Sequence, residues 1–593
     1  MTTTVVPPRA QSIVQRAYVY IVALVAVHMI VLGVANLVRV FAEIALGAPS
    51  GGFTGLPFVF GEFNRPRDVY REQASLAIAL LAVGTPAWWW HFRLAQRAAK
   101  AVEERASALR SLYIHLVVFI TALLVFGYGQ RALRLVLQGT TFGSGDVPPG
   151  FFGLEPDWPA RAAGAAAMAL TSAAVLAFHV RLSLADRRVT TIAGRAADLR
   201  HLAFYALVLV GLFFATFTTA TTIDGMLRRV ADEVVPLTGV TREVPVPVVE
   251  PDPRRGPNPT LPPGLPPRPS PVSRDDILRF QLLGAVPAIV AGLALWLGTW
   301  IPLTHGLTLG RDPEIERRSP IRKLAIYLIV LVSAVTVLIS ATFALSTIGR
   351  RLLGDPIVEP YNSLWHELST PVPLVAVFGA VWLFHRRVVE GEAARESESA
   401  RAAAIRRLYI YLISAIGLAM AAIGVAGAVG VFGSQLMGIN THSHEETARY
   451  VAFVLVGGAA WAFHWRTARA RLDDDERRSP QRRLYLYAAV LGGVLGVLVF
   501  GSAALYRLLN ATLALSYTLE TWHDVWHFAV DSAVAGAIAL WSFRAIRADR
   551  AALGAAGEET YAVTVLVRAV DRDGARARVT RALAGDPDLS VKG

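Results

Sequence analysis

Thirteen histidines and no cysteine limit the chemistry open to this chain. Without thiols there are no disulfides, no thiolate metal sites and no cysteine nucleophile. Four histidines, His91, His179, His385 and His464, recur near the ends of apolar runs. The phrases are WWWHF at Trp88–Phe92, LAFHV at Leu176–Val180, VWLFH at Val381–His385 and AWAFHW at Ala460–Trp465. A further phrase, LWSFR at Leu540–Arg544, places Arg544 at that position, and another run has Thr299 there. Neutral imidazoles repeated on neighbouring helices could ligate haem or a metal. The competing reading is a polar cap at a helix end, wet and beside arginines, and it is the one preferred here. Two outer segments add weaker ligand candidates. His442 and His444 alternate beside two carboxylates in THSHEE, Thr441–Glu446. His523 and His527 share a helix face at i, i+4, a spacing that suits a metal. Asp524 stands where a zinc-protease helix has glutamate, and no third ligand offers itself. No cofactor is assigned.

Two ionisable residues fall deep inside apolar runs, where an unpaired charge is costly. His28 lies about 18 Å along its helix from Arg16, and Asp531 about 15 Å from Trp541, at 1.5 Å per residue. Neither recurs elsewhere in the pattern. They could line a polar cavity or relay a proton. The plainer alternative is a modest helix-to-helix hydrogen bond.

The elements that carry these residues are set by a second recurring phrase. It reads QRAYVY at Gln15–Tyr20, RSLYIH at Arg110–His115, RHLAFY at Arg200–Tyr205, RKLAIY at Arg322–Tyr327, RRLYIY at Arg406–Tyr411 and RRLYLY at Arg482–Tyr487. Arginine favours the cytoplasmic interface and a nearby tyrosine ring suits headgroup depth. Tyr18, Tyr113, Tyr327, Tyr409 and Tyr485 are therefore expected as interfacial anchors. Trp89, Trp382, Trp461 and Trp541 do the same for the returning helix. A fixed pair of phrases is an internal repeat. It predicts about twelve spans of some twenty residues each, arranged as six hairpins. An even number of spans per repeat returns the chain to its starting side. The hairpins are therefore parallel, unlike inverted transporter repeats. The divisions are 1–16 for an N-terminal tail, then 17–105, 106–195, 196–315, 316–400, 401–478 and 479–550 for the hairpins, and 551–593 for a tail domain.

Composition agrees. The chain is 54% hydrophobic and 17% charged, against about 25% charged in soluble domains. Its net charge of +13 is concentrated in connectors such as HWRTARARLDDDERRSPQRR, so it reads as membrane orientation, not nucleic-acid binding. Both termini are expected on the cytoplasmic side, facing an anionic leaflet. A proline-rich outer loop at 230–275 reads as a solvated spacer, or else a docking strip. The tail alternates strand-like, helical and strand-like segments, a βαβ-like pattern. Gly424, Gly427, Gly430 and Gly433, with Gly492 and Gly496, speak for close helix packing, within the chain or between copies.

The R-x-L-Y-x-Y opening followed by W-x-x-H-W or W-x-F-H resembles a bacterial family of repeated membrane helices classed as a domain of unknown function. The likeness covers Arg16 to Arg544, is clearest in RRLYIY with AWAFHW, and weakest in the third hairpin. It implies a membrane helical fold and carries over no catalytic residue. The resulting expectation is an all-α integral protein of a bacterial cytoplasmic membrane. Its leading functional reading is a non-enzymatic scaffold or interaction module, with a protein partner or a second copy among the possibilities. The alternatives are a transporter or channel using His28 and Asp531, and a haem- or metal-dependent redox protein.

Overall fold

The computed structural model describes residues 13–46, 66–142, 158–234, 274–309, 319–354, 363–393, 400–439 and 444–556, with isolated positions 571 and 574. Every regular element among them is a helix. In chain order these are α1 Ile13–Ala45, α2 Pro66–Ala98, α3 Val102–Arg105, α4 Ala108–Phe142, α5 Trp158–Val189, α6 Arg195–Val234 and α7 Arg274–Leu309. They continue as α8 Pro320–Leu352, α9 Leu364–Leu368, α10 Pro371–Ala393, α11 Ala400–Leu436, α12 His444–Ala470, α13 Asp474–Arg478, α14 Pro480–Leu513 and α15 Leu519–Ala556. Among the described residues ten helices are long and apolar enough to cross a bilayer, which marks an integral membrane protein. α2 and α12 fall outside those ten. The proline-rich loop and the βαβ reading of the tail lie outside the described residues, as does His442. The last long helix continues to Ala556, beyond the boundary expected at residue 550.

The helices start where local chemistry dictates. Ser319 and Ser479 accept from the backbone N–H groups of Arg322 and Arg482, and Pro320 and Pro480 follow each serine. A capping hydroxyl plus a proline that needs no N–H partner is a strong helix start. Successive long helices then pack as pairs: α1 with α2, α4 with α5, α6 with α7, α8 with α10, α11 with α12, α14 with α15. Two of these pairs cross at facing glycines. A Cβ on Gly417 would lie 2.8 Å from the Gly457 carbonyl, and one on Gly211 would lie 2.9 Å from that of Gly292. Only hydrogen at those positions lets the backbones meet.

The first turns of the leading helix of each pair, α1, α4, α6, α8, α11 and α14, gather at one end of the bundle. Tyr20 packs on Tyr113 at 5.4 Å, Tyr327 on Tyr409 at 5.7 Å, and Tyr411 on Tyr485 at 5.5 Å. Arg322 donates to the Tyr205 hydroxyl at 2.7 Å, and Ser111 donates to the Ala196 carbonyl at 2.6 Å. Three larger apolar cores follow, one around Val19–Val118, one around Tyr205–Val330 and one around Ile410–Ile546. Each belongs to two consecutive hairpins whose outer helices touch: α1 with α5, α6 with α10, α11 with α15. The fold is thus three four-helix units in line. α4 of the first unit receives α6 and α7 of the second, and α8 of the second receives α11 and α12 of the third.

Candidate functional site

Three of the four recurrent histidines are buried, not wet, and His91 is half-buried. His179, His385 and His464 are 0%, 1% and 6% exposed. Each Nδ1–H donates to the carbonyl four residues back, Val175, Val381 and Ala460, at 2.9 Å. That bond leaves Nε2 as an acceptor, since a neutral imidazole has one donor and one acceptor. The Tyr113 hydroxyl meets His179 Nε2 at 3.1 Å, and the Tyr409 hydroxyl meets His464 Nε2 at 3.1 Å. In the first hairpin Tyr18 and His91 come to 3.4 Å. Trp382 donates to Tyr409, and Trp461 to Tyr485, each at 3.2 Å. Tyr113, Tyr327 and Tyr485, expected as interfacial anchors, are buried in the cores. Their hydroxyls or rings are taken up by neighbouring hairpins, so the aromatic phrases are joints between repeats. Tyr18 and Trp89 are half exposed and Tyr409, Trp382, Trp461 and Trp541 half buried. In the fourth hairpin Ala325 replaces the tyrosine. The Trp300 ring lies edge-on to His385 at 5.5 Å, and His385 Nε2 has no partner among the described residues.

Sequence reading missed the strongest polar joints. In the first unit the Glu104 carboxylate on α3 takes Arg16 at 2.6 Å and the Tyr20 hydroxyl at 2.8 Å. Arg110 then grips both oxygens of Asp186, at 2.6 and 3.2 Å. The third unit repeats this bond for bond. Glu476 on α13 takes Arg407 at 2.7 Å and Tyr411 at 2.6 Å, and Arg482 grips Asp549 at 2.6 and 3.2 Å. A signal for these joints was present: E-R-x-S-x-x-R stands at Glu104–Arg110, Glu316–Arg322 and Glu476–Arg482. It marks every second connector, and so pairs the hairpins. Matching Asp549 with Asp186 also puts Ser542, fully buried, at the place of His179; Arg544 is exposed.

These joints set the register between units, and with it a difference appears. The third unit holds a chamber of about 690 Å³ between α11 and α14, floored by α15, with Tyr450 and His527 at one end and Tyr411, Gln481 and Tyr485 at the other. Asp531 lines it. Ala419, Ala422, Ala488, Ala489, Gly492 and Gly496 border the space; at the same register the first unit has His28, Val31, Leu116, Val117, Ile120 and Leu124. The second unit has Phe213, Thr216, Leu328, Ile329, Val332 and Thr336. Asp531 corresponds to Met168, which packs with Val31 and Ala35 in a closed core. The third unit carries small residues where its siblings carry larger ones, of which Phe213, Leu328 and Val332 in the second unit are exposed.

The two intramembrane candidates therefore do not form one site. His28 is in the first unit, where its Nδ1–H donates to the Leu24 carbonyl at 2.8 Å and its ring takes the register of chamber-lining Ala419. Asp531 faces the chamber of the third. His527 reaches the Ser434 hydroxyl at 2.9 Å and lies 4.5 Å, ring to ring, from His523. His444 is an exposed first residue of α12. Among the described residues no group of three His, Asp or Glu side chains could hold a metal ion.

The glycines of α11 serve this packing within the chain. A Cβ on Gly427 would overlap the Tyr450 ring, one on Gly433 the Trp526 indole, and one on Gly430 would lie 2.6 Å from His527 Nδ1. Gly492 has nothing within 4 Å, because its missing side chain faces the open chamber.

The profile of the DUF5671 family, described as a domain of unknown function, matches residues 16–146, 265–356, 338–414 and 407–542. The first and last matches both begin at the arginine that holds a connector glutamate, Arg16 and Arg407. No curated protein and no solved structure matches the chain.

Proposed function

We propose that this chain, which belongs to the DUF5671 family, takes a small, mostly apolar molecule from the bilayer into the slot of its third unit. The observation that carries this is the chamber of that unit at the register where both sibling units carry larger side chains and the first packs Met168 against Val31 and Ala35. Packing alone would favour filling: a void forfeits contacts at about 24 cal/mol per Å³. A space of about 690 Å³ is within the range of ligand pockets, roughly 300–1,000 Å³. Asp531 supplies the polar group that a purely structural cavity has no use for. The activity is binding or passage, without chemistry on the occupant. Writing the first unit's own residue into the slot tests it. Gly492→Ile restores the side chain found at Ile120 and enters open space, so the fold should persist. The wild type, extracted gently, should carry an apolar molecule detectable by native mass spectrometry, and Gly492→Ile should lose it. Equal loading of both proteins would refute the reading.

The same reading takes all twelve long helices as spans of a bacterial cytoplasmic membrane, with both termini inside. The arginine-rich connectors support that orientation, and they suit an anionic inner leaflet. Scaffolding remains the reading for the first two units. What favours it is the Arg110–Asp186 joint and the tyrosine–histidine contacts of the first unit and the Arg322–Tyr205 bond of the second. Among the transport and channel readings, the slot supports Asp531 as the working residue, without His28.

A further inference from the structure

The dimensions and charge of the slot narrow its occupant, granted the reading above that it binds one. The lining runs from Leu408 to Gly427 on α11 and from Gln481 to Phe500 on α14, about 28 Å at 1.5 Å per residue. That nearly equals the hydrocarbon thickness of a bilayer, about 30 Å. Spread over this length, a volume of about 690 Å³ leaves a mean section of about 25 Å². One extended hydrocarbon chain fits such a section, and two side by side do not.

The walls cannot choose among chains, because lipid tails are as apolar as they are. Selection must come from the polar end. Asp531 makes no hydrogen bond or ion pair among the described residues. It lies about 8 Å along α15 from Trp526, near the outer interface. Of the arginines at that end, Arg507 is engaged by Asp524 at 3.0 Å, and Arg449, over the Tyr450 ring at 5.7 Å, by Glu446 at 4.0 Å. His527, one turn from Asp531, is held by Ser434 at 2.9 Å. A lone carboxylate at the mouth of an apolar slot attracts a cation and repels an anionic headgroup.

We infer that the occupant is a single-chain amphiphile with an ammonium head. The ammonium sits against Asp531, and the chain runs toward Tyr411 and Tyr485. The full-length protein in nanodiscs, titrated with radiolabelled hexadecylamine, hexadecanol or hexadecanoate, tests this. The amine should bind at least tenfold more tightly than the alcohol or the acid. Asp531→Asn should remove that preference, and Asp531→Glu should restore most of it, with unchanged thermal unfolding in each. Gly492→Ile should abolish binding of all three. If the alcohol binds as well as the amine, Asp531→Asn changes nothing, and Gly492→Ile still blocks binding, the slot stands and the ammonium head is rejected. If no probe binds the wild type above the level of Gly492→Ile, both the head and the slot are rejected.

Discussion

Arg110 is 1% exposed, and both oxygens of Asp186 hold its guanidinium. Arg482 is held by Asp549 in the same way, with the Trp465 ring 5.1 Å away. A bidentate pair satisfies charge and geometry together. Removing one partner strands a buried charge, at a cost of about 3–5 kcal/mol. Asp186→Ala should therefore lower the unfolding temperature in detergent sharply. The exposed, local pair Arg386–Glu390 offers the contrast, since such pairs contribute about 0.3–0.5 kcal/mol. Glu390→Ala should be nearly silent in the same assay. Comparable losses from the two substitutions would show that the buried joint is not the stronger one. The aromatic phrases teach a related lesson. Arginine and tyrosine near a helix end look like interface anchors, but Tyr113 and Tyr485 are buried because a histidine or tryptophan on a neighbouring helix needs their hydroxyls.

Among the elements, helix pairs approach most closely where small residues face each other. At Gly417 and Gly457 a Cβ would meet backbone atoms at 2.8 and 2.9 Å, and backbone cannot yield as a flexible side chain can. Gly457→Val should separate α11 from α12 and destabilise the third unit. Its neighbour Gly458 has nothing within 4 Å. Gly458→Ala should be neutral or gain about 0.4–1 kcal/mol through the unfolded chain. Thermal unfolding followed by size-exclusion chromatography separates the two, and similar behaviour would count against the close crossing. A reciprocal exchange between units points the same way. Arg39 on α1 covers Gly164 on α5, whereas His527 on α15 covers Gly430 on α11, at matching registers. Large and small have traded helices while the packing was kept.

For the whole molecule, the decisive feature is that six first turns share one end. The chain has no native cysteine, so single cysteines report sidedness cleanly. Glu103→Cys on α3 and Asp475→Cys on α13 should react with an impermeant maleimide from the same side of the membrane, the cytoplasmic one. Ser516→Cys, between α14 and α15, should react only from the other. Labelling of the two connectors from opposite sides would contradict parallel units. The hydrophobic stretch of α4 is 56% buried, covered by α6 and α7, and that of its counterpart α14 only 6%. On the proposed reading, that exposure lets the slot open toward lipid.

The all-helical membrane class was legible in the sequence, because apolar run length is a local property. His28 and Asp531 were legible as anomalies for the same reason, since charge inside an apolar run stands out without any coordinates. Tertiary structure alone decided what those anomalies meant. Burial of Tyr113 and His179, the pairing of Arg482 with an aspartate 67 residues away, and the space beside Gly492 all depend on which helix faces which. A glycine facing a tightly packed neighbour and a glycine facing a void are spelled alike. Only the assembled helices show that Gly433 makes room for Trp526 while Gly492 faces open space.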